Sequence, residues 1–97
     1  MKVRFTEAAL DDIHEICEFL LSNYPSTAPL VEQRIRIIAH RISAWPESSP
    51  RVTGFPEVRA APLGRYPYRV FYKITDEAIE IVHIHHTSRQ PFWEVES

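Results

Sequence analysis

Tyr68-Arg69-Val70-Phe71-Tyr72-Lys73-Ile74-Thr75-Asp76-Glu77-Ala78-Ile79-Glu80-Ile81-Val82-His83-Ile84-His85 holds two runs rich in β-branched and aromatic residues, parted by a short polar break. Apolar and polar side chains alternate in both runs, the period of a strand with one buried face. Thr75-Asp76-Glu77 reads as the turn between them. A turn on Asp76-Glu77 sets Lys73 opposite Glu80, Tyr72 opposite Ile81 and Val70 opposite His83, and the opposite charges of Lys73 and Glu80 favour that register. One face of the hairpin then carries Val70, Tyr72, Ile74, Ile79 and Ile81. The other carries Arg69, Phe71, Lys73, Glu80, Val82 and Ile84, with His86 just beyond.

The rest of the chain supplies what the apolar face needs. A preceding strand is expected from Glu57 to Leu63, joined to the hairpin by the turn Gly64-Arg65-Tyr66-Pro67. Pro46 to Pro56, with three prolines and Gly54, reads as a loop. Upstream, Val31, Ile35, Ile38, Ile42 and Trp45 step by fours and threes, which predicts an amphipathic helix over 27–44. Ala9, Ile13, Ile16 and Leu20, with Leu10, Cys17 and Leu21, predict another over 7–22. Pro25 disfavours helical geometry in the residue before it, so Asn23-Tyr24-Pro25-Ser26 separates the two as an antiparallel hairpin. Thr6 suits the N-cap of the first helix, and residues 2–6 read as a short strand. The order is β-α-α-β-β-β: an α+β fold with a helical hairpin packed on one face of a mainly antiparallel sheet.

Ninety-seven residues bound the chain to a single domain, 1–97. Hydrophobic residues at 44% and charged residues at 25% exclude a disordered class. No apolar run approaches the ~20 residues of a membrane span, and the start has no stretch suited to a signal peptide. Cytoplasm is the expected compartment, with no membrane partner. The lone Cys17 can form neither an internal disulfide nor a metal site by itself. A net charge of −2 argues against a dedicated nucleic-acid-binding domain. Yet Arg51, Arg59, Arg65, Arg69 and Lys73 stand against Glu57 alone between residues 51 and 75, so one region of the strand half is basic.

Three groups of residues carry candidate chemistry. His83 and His85, at alternate strand positions, point the same way and can share an ion. No second cysteine is available and no carboxylate lies beside them in sequence. A hydrogen-bonded histidine at the edge of the core is therefore the favoured reading, and no metal or cofactor is expected. RNA cleavage through a 2′-hydroxyl would need a base, an acid and a positive group. His85 or His86 titrates in the right range, and Arg69 and Arg89 can clamp phosphate through bidentate hydrogen bonds. The plainer alternative pairs Arg69 with a carboxylate and leaves the histidines on the surface. Phe92 and Trp93 either fold back onto the domain or are covered by a partner.

Three stretches resemble the RelE/ParE superfamily of toxins from type II toxin–antitoxin systems. Phe5-Thr6-Glu7-Ala8-Ala9-Leu10-Asp11-Asp12-Ile13 is similar to the family's strand leading into a first helix. Gly64-Arg65-Tyr66-Pro67-Tyr68-Arg69-Val70-Phe71-Tyr72 resembles its arginine-bearing central strand. Ile84-His85-His86-Thr87-Ser88-Arg89 resembles the ParE-type H-x-x-R ending. The resemblance implies a toxin neutralised by the C-terminal segment of an antitoxin, seated in the groove of helix 27–44 and the sheet as a hetero-oligomer. ParE-like members poison DNA gyrase, whereas RelE-like members cleave mRNA in the ribosome. Arg69 matches the arginine that RelE-type nucleases place on the scissile phosphate, with His86 and Arg89 beside it as the remaining catalytic candidates. Around it the pattern departs: Glu57 to Leu63 contains no lysine, and the tail lacks the tyrosine of those nucleases. The ParE-like reading is therefore preferred. It expects a ParD-like antitoxin and gyrase as partners, with Arg59, Arg65, Arg69, Arg89, Phe92 and Trp93 as target-binding residues. The alternatives are a metal-independent, ribosome-dependent mRNA endoribonuclease, or a scaffold that retains antitoxin binding alone.

Overall fold

The computed structural model describes residues 1–88. Within them the chain runs β1 (Val3–Phe5), α1 (Glu7–Asn23), α2 (Ala28–Ala44), β2 (Arg51–Val52), β3 (Phe55–Pro62), β4 (Tyr68–Ile74) and β5 (Ile79–His86). The strands form one sheet in the order β1-β5-β4-β3-β2. Only the β1–β5 pairing is parallel. This is the expected α+β fold of a helical hairpin on a mainly antiparallel sheet. No helix among the described residues is long and apolar enough to cross a membrane.

The core lies where the helix stripes meet the sheet. Val31, Ile35, Ile38 and Ile42 of α2 and Ala9 and Leu20 of α1 are buried with Ala61, Val70, Tyr72, Ile79, Ile81 and Ile84. Tyr72 is fully buried, and its hydroxyl donates to the carbonyl of Pro46 at 2.7 Å, which satisfies the only polar atom of that side chain.

Four local expectations are corrected. Arg51–Val52 lies within the stretch read as loop, yet it pairs antiparallel with β3. Gly54 makes that turn possible, with a φ of 88° that other residues rarely adopt. Two residues are too few to show a period. Trp45 was placed on the α2 stripe but is 68% exposed. It is the C-cap, with φ −134° and ψ 76°, so helical spacing no longer sets its direction. Ile74, expected in the core, is 37% exposed at the end of β4.

The fourth correction reshapes the site. Lys73 faces Glu80 and Tyr72 faces Ile81, as the charges suggested, but the next pair is Phe71 with His83. β5 has advanced two residues for one on β4, so Val82 is the extra residue of a β-bulge. Beyond it Val70 faces Ile84, not His83; Arg69 faces His85; Tyr68 faces His86. The bulge inverts the alternation of β5, turning Ile84 and His86 to the helix side and His83 and His85 to the outer face.

Candidate functional site

Thr6 fastens the start of α1 beside the bulge. Its side-chain oxygen accepts from the amide of Ala9 at 3.2 Å, as an N-cap does. Its hydroxyl lies 3.1 and 3.2 Å from the carbonyls of Ile81 and Val82, the residue before the bulge and the bulged residue itself. β1 ends at Phe5, so past this point α1, not a strand, borders β5. Asp12 takes over the work of the missing strand. Its Oδ2 accepts from the Ile84 amide at 3.0 Å, where a neighbouring strand's carbonyl would otherwise serve. The same oxygen lies 3.0 Å from Nδ1 of His83 and 3.7 Å from Nε2 of His85. A carboxylate only accepts, so His83 donates from Nδ1. The two imidazoles sit 4.9 Å apart, and the ring of Phe71 stands 6.0 Å from that of His85.

On the other side of β5 a cavity of about 440 Å³ opens between α1 and the ends of β4 and β5. Asp12, Glu15, Ile16 and Phe19 form its helical wall, and Tyr68, Ile84, His86 and Ser88 its strand wall. His86 stands edge-on to Tyr68, with ring centroids 5.3 Å apart. The Ser88 amide donates to Nδ1 of His86 at 3.1 Å, and the Ser88 hydroxyl lies 2.7 Å from the same nitrogen. A backbone N–H cannot accept, so Nδ1 carries the lone pair, and a neutral ring holds its proton on Nε2.

The expected site residues fall into separate places. Arg69 is exposed on the outer face across from His85, whereas His86 belongs to the helix side. The arrangement in which Arg69 lies diagonal to His86 on one face is thus not formed, and the bulge at Val82 is the reason. Arg59 is occupied in holding the loop after α2, since its guanidinium donates to the carbonyls of Ser49 at 2.7 Å and Glu47 at 3.3 Å. Arg65 is exposed in the turn before β4. Arg89, Phe92 and Trp93 lie outside the described residues.

Asp12 and Glu15 are the site residues that sequence reasoning missed. Asp12 reads as a charge favouring the helix dipole, but it stands four residues before the inward-facing Ile16, and that spacing puts it on the same helix side. Farther along α1, Cys17 is half-buried. Burial, and secondly the Glu32 carboxylate, hold its thiol above the ordinary cysteine pKa.

Residues 3–91 match the family described as the ParE toxin of the type II toxin–antitoxin system parDE. Among solved structures the chain is similar to the chromosomal ParDE toxin–antitoxin system of P. aeruginosa, with a TM-score of 0.78 and 21% identity over 91% of this chain and 97% of that one. It is similar to the RelBE2 complex of Mycobacterium tuberculosis at a TM-score of 0.60 and 24% identity, over 88% of this chain and 95% of that one. The isolated E. coli RelE toxin matches at a TM-score of 0.60 and 15% identity, over 96% of this chain and 90% of that one. At these identities the likeness is one of fold. No curated protein matches the chain in sequence.

Proposed function

We propose a function from one premise: the chain belongs to the ParE toxin family of type II toxin–antitoxin systems. It acts in the cytoplasm as a toxin that binds a protein target, DNA gyrase, and it is held inactive by a ParD-like antitoxin. The observation that carries this choice over an RNA-cleaving one is the separation of Arg69 from His86. A phosphate clamp and a proton carrier must reach the same phosphodiester. Here Arg69 and His86 leave β4 and β5 on opposite faces of the sheet, and His85, which shares the face of Arg69, is only 13% exposed with its Nε2 3.7 Å from Asp12.

Antitoxin binding is supported by α2 itself. Leu30 and Ile37, two helical turns apart, are both substantially exposed. Exposed apolar side chains at that spacing suit an amphipathic segment that orders as it binds. In this reading the antitoxin lies along α2 and the sheet, and saturating antitoxin should raise the melting temperature by several degrees.

Induction in cells tests the target. Gyrase poisoning gives an SOS response and filamentation with intact mRNA. Translation arrest with cleaved mRNA would replace this reading by the ribonuclease one.

A further inference from the structure

We propose that Asp12, His83 and His85 form a binding site for a divalent transition-metal ion of the zinc, cobalt or nickel class. One donor atom from each of the three lies within 4.8 Å of the others. Two imidazoles and one carboxylate suit borderline ions, whereas calcium and magnesium prefer oxygen donors throughout. A tetrahedral ion with bonds of about 2.0–2.1 Å holds its ligand atoms roughly 3.3 Å apart. The separations from Asp12 Oδ2, 3.0 Å to His83 and 3.7 Å to His85, bracket that value, and the two histidine nitrogens, within 4.8 Å of one another, draw together to close the site.

The ligands are mounted rigidly. The bulge at Val82 turns both histidines to one face, two residues apart on β5. Asp12 is held by the Ile84 amide, which donates to the same Oδ2 at 3.0 Å and so orients the carboxylate. All three side chains are largely shielded, between 13% and 27% exposed. The three ligands found among the described residues leave a fourth position on a tetrahedral ion. The exchange balances simply: a neutral His83 moves its proton from Nδ1 to Nε2 by way of water, and the freed Nδ1 lone pair goes to the ion. Bound metal joins α1 to β5 across 71 residues of sequence, a long loop for a clip to close.

The test uses the untagged full chain after dialysis against a chelator. Titration with zinc chloride is expected to give one ion per chain and a melting temperature raised by several degrees. Cobalt(II) should give the intense visible absorption of a tetrahedral site. Asp12→Asn keeps an acceptor for Ile84, and His85→Gln keeps a polar side chain, so circular dichroism should remain native. Both should lose affinity at least tenfold. The surface double variant His14→Gln/His40→Gln should bind as the wild type does. Absence of one-to-one binding in the wild type would overturn the proposal. So would unchanged affinity in His85→Gln, which decides the matter should Asp12→Asn fail to fold, or loss of binding in the surface variant.

Discussion

Oδ2 of Asp12 lies 3.0 Å from the backbone nitrogen of Ile84, 72 residues away in sequence, so a helix side chain supplies the acceptor for a strand edge. Asp12→Ala strands that amide and removes one partner of His83. Leaving a shielded donor unsatisfied costs about 1–3 kcal/mol. Asp12→Asn retains an acceptor and should cost less. Urea unfolding of both variants checks the order, and equal stability of Asp12→Ala and the wild type would refute it.

Ile38 and Ile74 separate core from periphery. Ile38 is 2% exposed against the sheet, and Ile38→Ala should cost ~2–5 kcal/mol. Ile74, at 37% exposure, should cost less than ~1.5 kcal/mol on the same change, since much of its side chain already meets water. The unfolding midpoints of the two variants give the comparison.

Arg69 and His86 distinguish binding from cleavage. With the two on opposite faces, His86→Gln should leave most of the toxicity intact. Arg69→Ala should weaken it, because an exposed arginine on a binding face is a frequent hot spot. Wild-type protein should show no ribosome-dependent mRNA cleavage. Cleavage lost in both variants would show that the two side chains act together.

Cys17 should react slowly with alkylating reagents at neutral pH. The thiolate is the nucleophile, and burial followed by the Glu32 charge raises the pKa. The rate should therefore reach half its maximum at a higher pH than for a free thiol. Glu32→Gln removes the smaller of the two causes and should move that midpoint down slightly. A midpoint below that of a free thiol would contradict the assignment.

What the sequence disclosed was set by range. The helix stripes, the Pro25 break and the Lys73–Glu80 register rest on neighbours within a few residues, and these were readable. The bulge was harder, because Ile81-Val82 offers two adjacent apolar residues, either of which can face inward. A hint existed: an unbroken alternation turns His83 and His85 toward the helices and Ile84 away from them, an exchange that polarity disfavours. Asp12 left a fainter trace. Its partners are more than 70 residues away, and no local period connects a helix carboxylate to a strand amide.

The sheet order also sets a timetable for synthesis. β5 lies between β1 and β4, so the first strand to leave the ribosome has its only ladder partner in the last of the five described strands. Until Ile79–Ile81 emerges, β1 has no ladder and the early helices have no complete floor to settle on. A nascent chain halted before this point displays an open apolar surface, has Arg69 without its partner strand and lacks His86 altogether. A protease or chaperone thus has most of the elongation time in which to meet that surface.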